Sequence, residues 1–182
     1  ENRLSGGTIN FLDEAWAYQA NDLSFVDGPV VKFGNHNFIY PIGHQNYYRP
    51  AGISMLASEN IIEATYFLEN PGGLYDLQQK EGLIERIDDR EYWQIDMENR
   101  EETMLSLTWN SNTTPNYILN QTSTADAIHI VYWNPIIQRW EDKGGLTNTD
   151  ENSVTTAIKR SGIYTLALMK YDEVNPCEIV VF

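Results

Sequence analysis

The strongest constraint on this chain is the alternation of apolar and polar residues in short runs. Leu105, Leu107 and Trp109 alternate with Ser106 and Thr108, and Ile62, Ala64, Tyr66 and Leu68 are set apart by Glu63, Thr65 and Phe67. A period of two sends successive side chains to opposite faces of a pleated strand, so each run reads as a strand with one buried face. The stretch Phe25 to Met55 follows the same grammar in shorter units. Asp27-Gly28-Pro29 is a turn, Val30 to Phe33 a strand, Gly34-Asn35 a turn and Phe38-Ile39-Tyr40 a strand that Pro41 ends. Further strands are predicted at Tyr92–Ile95, Ile128–Trp133, Ser153–Ile158, Gly162–Met169 and Glu178–Phe182. Many short strands, each bounded by Gly, Pro, Asn or Asp, predict an all-β, Ig-like antiparallel β-sandwich. Leu74, Leu77 and Glu81 share one side of a helical wheel, which predicts one short helix over 74–84.

A chain of 182 residues suits one domain and can bury a core without covalent staples. Twelve Lys plus Arg against twenty-six Asp plus Glu give a net charge of −14. Nucleic acid is excluded as an expected partner, because neutralising phosphates takes clustered Lys and Arg. Cys177 is the single cysteine, so an internal disulfide and a multi-cysteine zinc site are both impossible. No apolar run approaches the ~20 residues that a membrane-crossing helix needs, and no membrane insertion is expected.

Catalytic signatures are missing: there is no Gly-x-Ser-x-Gly elbow, no phosphate loop and no His-Glu-x-x-His. The chain is therefore expected not to be an enzyme. Cys177, beside Pro176, reads as a small apolar residue at the start of a strand. His36 and His44 fall in neighbouring turns, and nothing in the sequence fixes their convergence on a metal. The paired carboxylates Asp88-Asp89 and Glu101-Glu102 read as solvated loop charge. Calcium is the more serious use of the acids, because hard cations gather clustered oxygens; the candidates are Asp88, Asp89, Asp142 and Asp150. A sugar platform is the other binding alternative, since an aromatic face suits the C–H face of a pyranose. Trp93, Trp109 and Trp133 lie in strong strands and read as core. Trp16, Tyr47, Tyr48 and Trp140 read as surface aromatics available to a carbohydrate.

Three groups of motifs carry a resemblance to a known kind of module. The first is Phe25-Val26-Asp27-Gly28-Pro29-Val30, then Lys32 and Gly34-Asn35, then Phe38-Ile39-Tyr40-Pro41-Ile42-Gly43 and Tyr48-Arg49-Pro50. The second is Arg90-Glu91-Tyr92-Trp93 with the Leu105–Trp109 strand. The third is Ile130-Val131-Tyr132-Trp133, then Trp140, Gly144-Gly145 and Gly162-Ile163-Tyr164-Thr165-Leu166-Ala167. Together they resemble a β-sandwich module of large exported surface proteins of Bacteroidetes. The ending Cys177 to Phe182 resembles the lead-in to a gliding-motility-associated C-terminal domain, the sorting signal of type IX secretion. The sequence departs from the commoner pattern at His36 and His44.

The resemblance implies an extracellular, cell-surface location and a structural or adhesive task without catalytic residues. Its implied partners are neighbouring domains of the same polypeptide and the type IX secretion machinery during export; surface glycans are the partner that the aromatic alternative would take. It also implies a piece of a longer exported protein, with a β-sandwich over 1–170 and a final strand or linker over 171–182 leading to a sorting domain.

Overall fold

A computed structural model of the chain describes residues 6–124 and 126–170. The expected final strand at Glu178–Phe182 and Cys177 lie outside the described residues. The chain folds as an all-β sandwich, as the alternating runs predict. The larger sheet has eight strands. Seven run in the order β1 (Ile9–Phe11), β2 (Val30–Gly34), β7 (Asn60–Phe67), β9 (Tyr92–Met97), β15 (Gly162–Met169), β11 (Ile128–Asn134) and β12 (Arg139–Asp142). The eighth, β8 (Ile84–Ile87), pairs with β15 on the same edge as β9, taking Ala167 to Met169 where β9 takes Gly162 to Tyr164. The smaller sheet runs β13 (Leu146–Asn148), β14 (Ser153–Ile158), β10 (Thr103–Thr108), β6 (Ala51–Ile53) and β3 (Phe38–Tyr40). A two-stranded ribbon, β4 (Gly43–His44) and β5 (Tyr47–Tyr48), links β3 to β6. All named pairs are antiparallel except β1 with β2.

The inward residues of the two sheets form one core. Ile62, Ala64, Tyr66, Trp93 and Ile95 from the larger sheet join Tyr40, Ala51, Ile53, Leu105, Leu107 and Val154 from the smaller. The alternation thus fixes which face of β7 and β10 is buried, and slipping the register by one residue would turn every one of these side chains outward.

A second core lies on the other face of the larger sheet. Tyr92, Val131, Ile163 and Ala167 point away from the first core and pack with Ile84, Ile87, Trp140 and Met169. Tyr75 and Leu77 come down on this cluster from the 68–83 segment. That segment is not the expected helix. It opens with a 3-10 turn at Pro71–Gly73, capped by the Asn70 side chain accepting from the Gly72 N–H, and continues as turns and irregular chain into β8. Its internal backbone bonds are isolated turns, and its end bonds to the sheet edge: Glu81 N–H donates to the Trp140 carbonyl and Trp140 N–H to the Gln79 carbonyl. Among the described residues the one α-helix is α1 (Asn116–Leu119), a single turn.

Candidate functional site

Arg49 lies between the two sheets, 1% exposed, on the two-residue link from β5 to β6. Its guanidinium is bidentate on Glu91, with Nε to Oε2 and Nη2 to Oε1 both at 2.9 Å. Nη1 donates to Thr108 Oγ1 at 2.8 Å and Nη2 to the Thr108 carbonyl at 2.5 Å. Glu91 also accepts from Tyr66 Oη and Thr114 Oγ1, each at 2.6 Å. Trp93 donates its indole N–H to the Arg49 carbonyl at 3.2 Å and sets its ring 5.2 Å from the guanidinium carbon. The clamp ties β9 and β7 of one sheet to β10 of the other. Its partners fill most of the donor and acceptor capacity of both ions, which is what makes a buried pair tolerable; taking away one partner of such a pair costs about 3–5 kcal/mol.

Asp88 is buried beside this clamp, in the break that separates β8 from β9. Its Oδ1 accepts from the Arg90 and Glu91 N–H groups at 2.8 and 3.2 Å, and its Oδ2 meets no hydrogen-bond partner. Burial, then the nearby Glu91 charge, push its carboxyl well above the usual carboxylate range. Burial pushes Glu91 the same way, but the Arg49 charge and the hydrogen bonds from Arg49, Thr114 and Tyr66 outweigh it and leave Glu91 lowered and ionised. Two carboxyls three residues apart are thus pushed in opposite directions, out of reach of solvent. Asp88 is accordingly neither the solvated loop charge nor the accessible calcium ligand that the sequence suggests: the Arg90 and Glu91 N–H groups and the Asp88 N–H bond to the Leu166 carbonyl hold it inside.

The other calcium candidates are scattered. Asp89 is half-buried and accepts from Tyr117 Oη at 3.2 Å. Asp142 accepts from His129 Nδ1 at 2.8 Å and from the Gly144 N–H. Asp150 is exposed on the turn after β13, where its N–H donates to Asn148 Oδ1. Among the described residues no group of three or more His, Cys, Asp or Glu side chains is placed to hold a metal ion. His36 and His44 do not converge either: His36 pairs with Asp13 at 2.8 Å, and His44 Nδ1 accepts from the Leu68 N–H at 3.0 Å.

The aromatic candidates divide. Trp140, expected at the surface, is fully buried in the second core against Tyr75 and Trp133. The 68–83 cover is what buries it, and a cover of irregular chain leaves no periodic signal in sequence. Trp133, expected in the core, is half-buried beside it. Trp16 is 85% exposed, on a loop whose base is gathered by the buried Lys32 ammonium donating to the carbonyls of Leu12, Asp13 and Ala15. Tyr47 and Tyr48 are half-buried on the β4–β5 ribbon. The ribbon turns tightly because Gly43 lacks a Cβ, which would sit 2.3 Å from the Tyr47 carbonyl oxygen and 2.6 Å from the Phe25 ring.

Tyr48 reaches a groove of the surface, a trough of about 550 Å³ on the outer face of the smaller sheet. Its floor is the row Gly52, Ser106 and Thr155, registered side by side across β6, β10 and β14. Ser106 and Thr155 share a hydroxyl–hydroxyl bond of 2.6 Å. Ile39 and Met104 stand at the rim with Tyr48, and further hydroxyls come from Ser54, Thr108 and Ser153. Glu151 is the single charged side chain among the described lining residues, which include no Lys or Arg. Sequence reasoning found Tyr48 and missed the rest. The readable signal was Gly52 between Ala51 and Ile53, a glycine inside a strand.

No family model, no curated protein and no solved structure matches this chain.

Proposed function

We propose that this chain is a non-enzymatic structural and adhesive module of a cell-surface protein exported by type IX secretion, linked to gliding motility or adhesion. The observation that supports this reading is the meeting of two of its motifs. Tyr48-Arg49-Pro50 and Arg90-Glu91-Tyr92-Trp93 lie far apart in sequence, yet Arg49, Glu91 and Trp93 join in the buried clamp between the sheets. Arg49 and Glu91 are thus committed to holding the sandwich together, and a catalytic use would need them at a solvent-open surface. A sandwich so fastened suits a unit that spaces or presents neighbouring domains.

The test uses the full-length parent protein in the cells that make it, followed with an antibody to this module. Added protease should remove the module from intact wild-type cells. Cells lacking the type IX outer-membrane channel should keep it protected inside. Equal protease access in both strains would refute the export assignment.

A further inference from the structure

We propose that the outer face of the smaller sheet is a binding groove for a neutral oligosaccharide. The inference names a ligand class for the adhesive role above and rests on that reading for its biological meaning. Its geometry stands on three observations.

The first is Gly52. It sits mid-strand in β6 in unbroken register, between Ile39 on β3 and Ser106 on β10. Neither a bulge nor a left-handed backbone requires glycine at this position. A Cβ there would come 3.3 Å from Ser106 Cβ, so any side chain would fill the trough. Glycine weakens a strand interior, and in a flat, regular strand it marks a place where something approaches the backbone closely. The second is size. The groove crosses four strands, β3 to β14, or about 14 Å at the usual strand spacing. Its volume of about 550 Å³ is within the range of small-molecule sites and favours a short chain of sugar rings over a single one.

The third is chemistry. The Tyr48 ring, Ile39 and Met104 offer apolar surface for ring C–H faces. The Ser106–Thr155 pair, having used one O–H between them, retains the other O–H and free lone pairs for sugar hydroxyls. Glu151 adds an acceptor. With one carboxylate and no Lys or Arg among the described lining residues, on a chain of net charge −14, the groove repels anionic glycans and phosphates. Thr108, at one end, is fixed by Arg49 Nη1, which ties the groove floor to the clamp.

The experiment is calorimetric titration of the purified 182-residue chain with cellohexaose, mannohexaose and xylohexaose, with oligogalacturonate and oligolysine as charged comparators. At least one neutral hexaose should bind, and Gly52→Val and Tyr48→Ala should each weaken it by about tenfold or more. Trp16→Ala should leave binding unchanged, because Trp16 does not line the groove. Amide-shift mapping of the unmutated chain should place the perturbed residues on β3, β6, β10 and β14, which keeps the test independent of how the variants fold. Failure of every neutral hexaose to bind up to about 5 mM would overturn the proposal. So would binding abolished by Trp16→Ala and untouched by Gly52→Val, or selective binding of either charged comparator. These results leave the export test unaffected, so the groove and the surface assignment fall separately.

Discussion

The two outer faces of the sandwich are treated in opposite ways. The larger sheet hides the β9, β15 and β11 part of its outer face under the 68–83 segment and builds a second core there around Trp140, Tyr92 and Ile163. Among the described residues no segment covers the groove on the outer face of the smaller sheet, where Ile39 is 63% exposed, and Leu146 is exposed on β13. The same kind of strand serves both. A sheet face that needs stability is given a cover, even one of irregular chain. A face that keeps small side chains on its floor and apolar ones at its rim retains surface for a partner. The covered face therefore carries stability, and the open face is free to carry recognition.

The largest expected effect is on the covered face. Trp140→Ala should lower the stability of the chain by about 3–5 kcal/mol, the cost of emptying a buried tryptophan site. Ile39→Ala on the open face should change it by no more than about 0.5 kcal/mol. Urea unfolding midpoints measure both, and equal losses would break the distinction between the faces.

A smaller effect is expected at Asp88, on the covered sheet between β8 and β9. Its carboxyl is raised in the fold, so the native state holds a proton that the unfolded chain releases above the usual carboxylate range. Stability from this group is complete below that range and is lost as pH rises toward the folded value. Asp88→Asn keeps the Oδ1 acceptor for the Arg90 and Glu91 N–H groups and removes the ionisation. The variant should gain on the wild type as pH climbs from about 4 to 8. A stability difference that does not vary with pH would remove the raised Asp88 carboxyl from the account.

The smallest effect is expected from metal. Excess EDTA followed by millimolar calcium should move the melting temperature by less than about 1 °C, since the acidic candidates do not assemble among the described residues. A saturating ligand of the folded state adds ~2.7 kcal/mol, a rise of several degrees for a chain this size. A rise of that order would restore an acidic loop as a calcium site.

Much of the sandwich was legible because alternation and turn chemistry are local. The predicted Phe38–Tyr40, Ser153–Ile158 and Gly162–Met169 strands coincide with β3, β14 and β15. The candidate site was far less legible. Tyr48 was found because an exposed-turn aromatic is a recognisable type, whereas Trp140 was misplaced because its burial depends on a segment some sixty residues away in the chain. The run Gly162–Met169 of β15, apolar apart from Thr165 and buried along most of its length, was the available sign that this part of the larger sheet is covered on both faces. The 74–84 region failed as a helix because three residues on one side of a wheel cannot compete with bonding to the edge at Trp140 and with burial of Tyr75 and Leu77.

By itself, then, the sequence determined the class of fold, the position of most strands, and which side of each strand faces inward. These follow from the two-residue period of an extended chain and from residues whose backbone preferences stop a strand. The tertiary structure alone decided that Arg49 meets Glu91, that Asp88 is buried, that part of one outer face is roofed, and that Gly52 lies in a trough on the other. Each depends on contacts between residues remote in sequence, and their energies come from desolvation and close packing that no local pattern encodes.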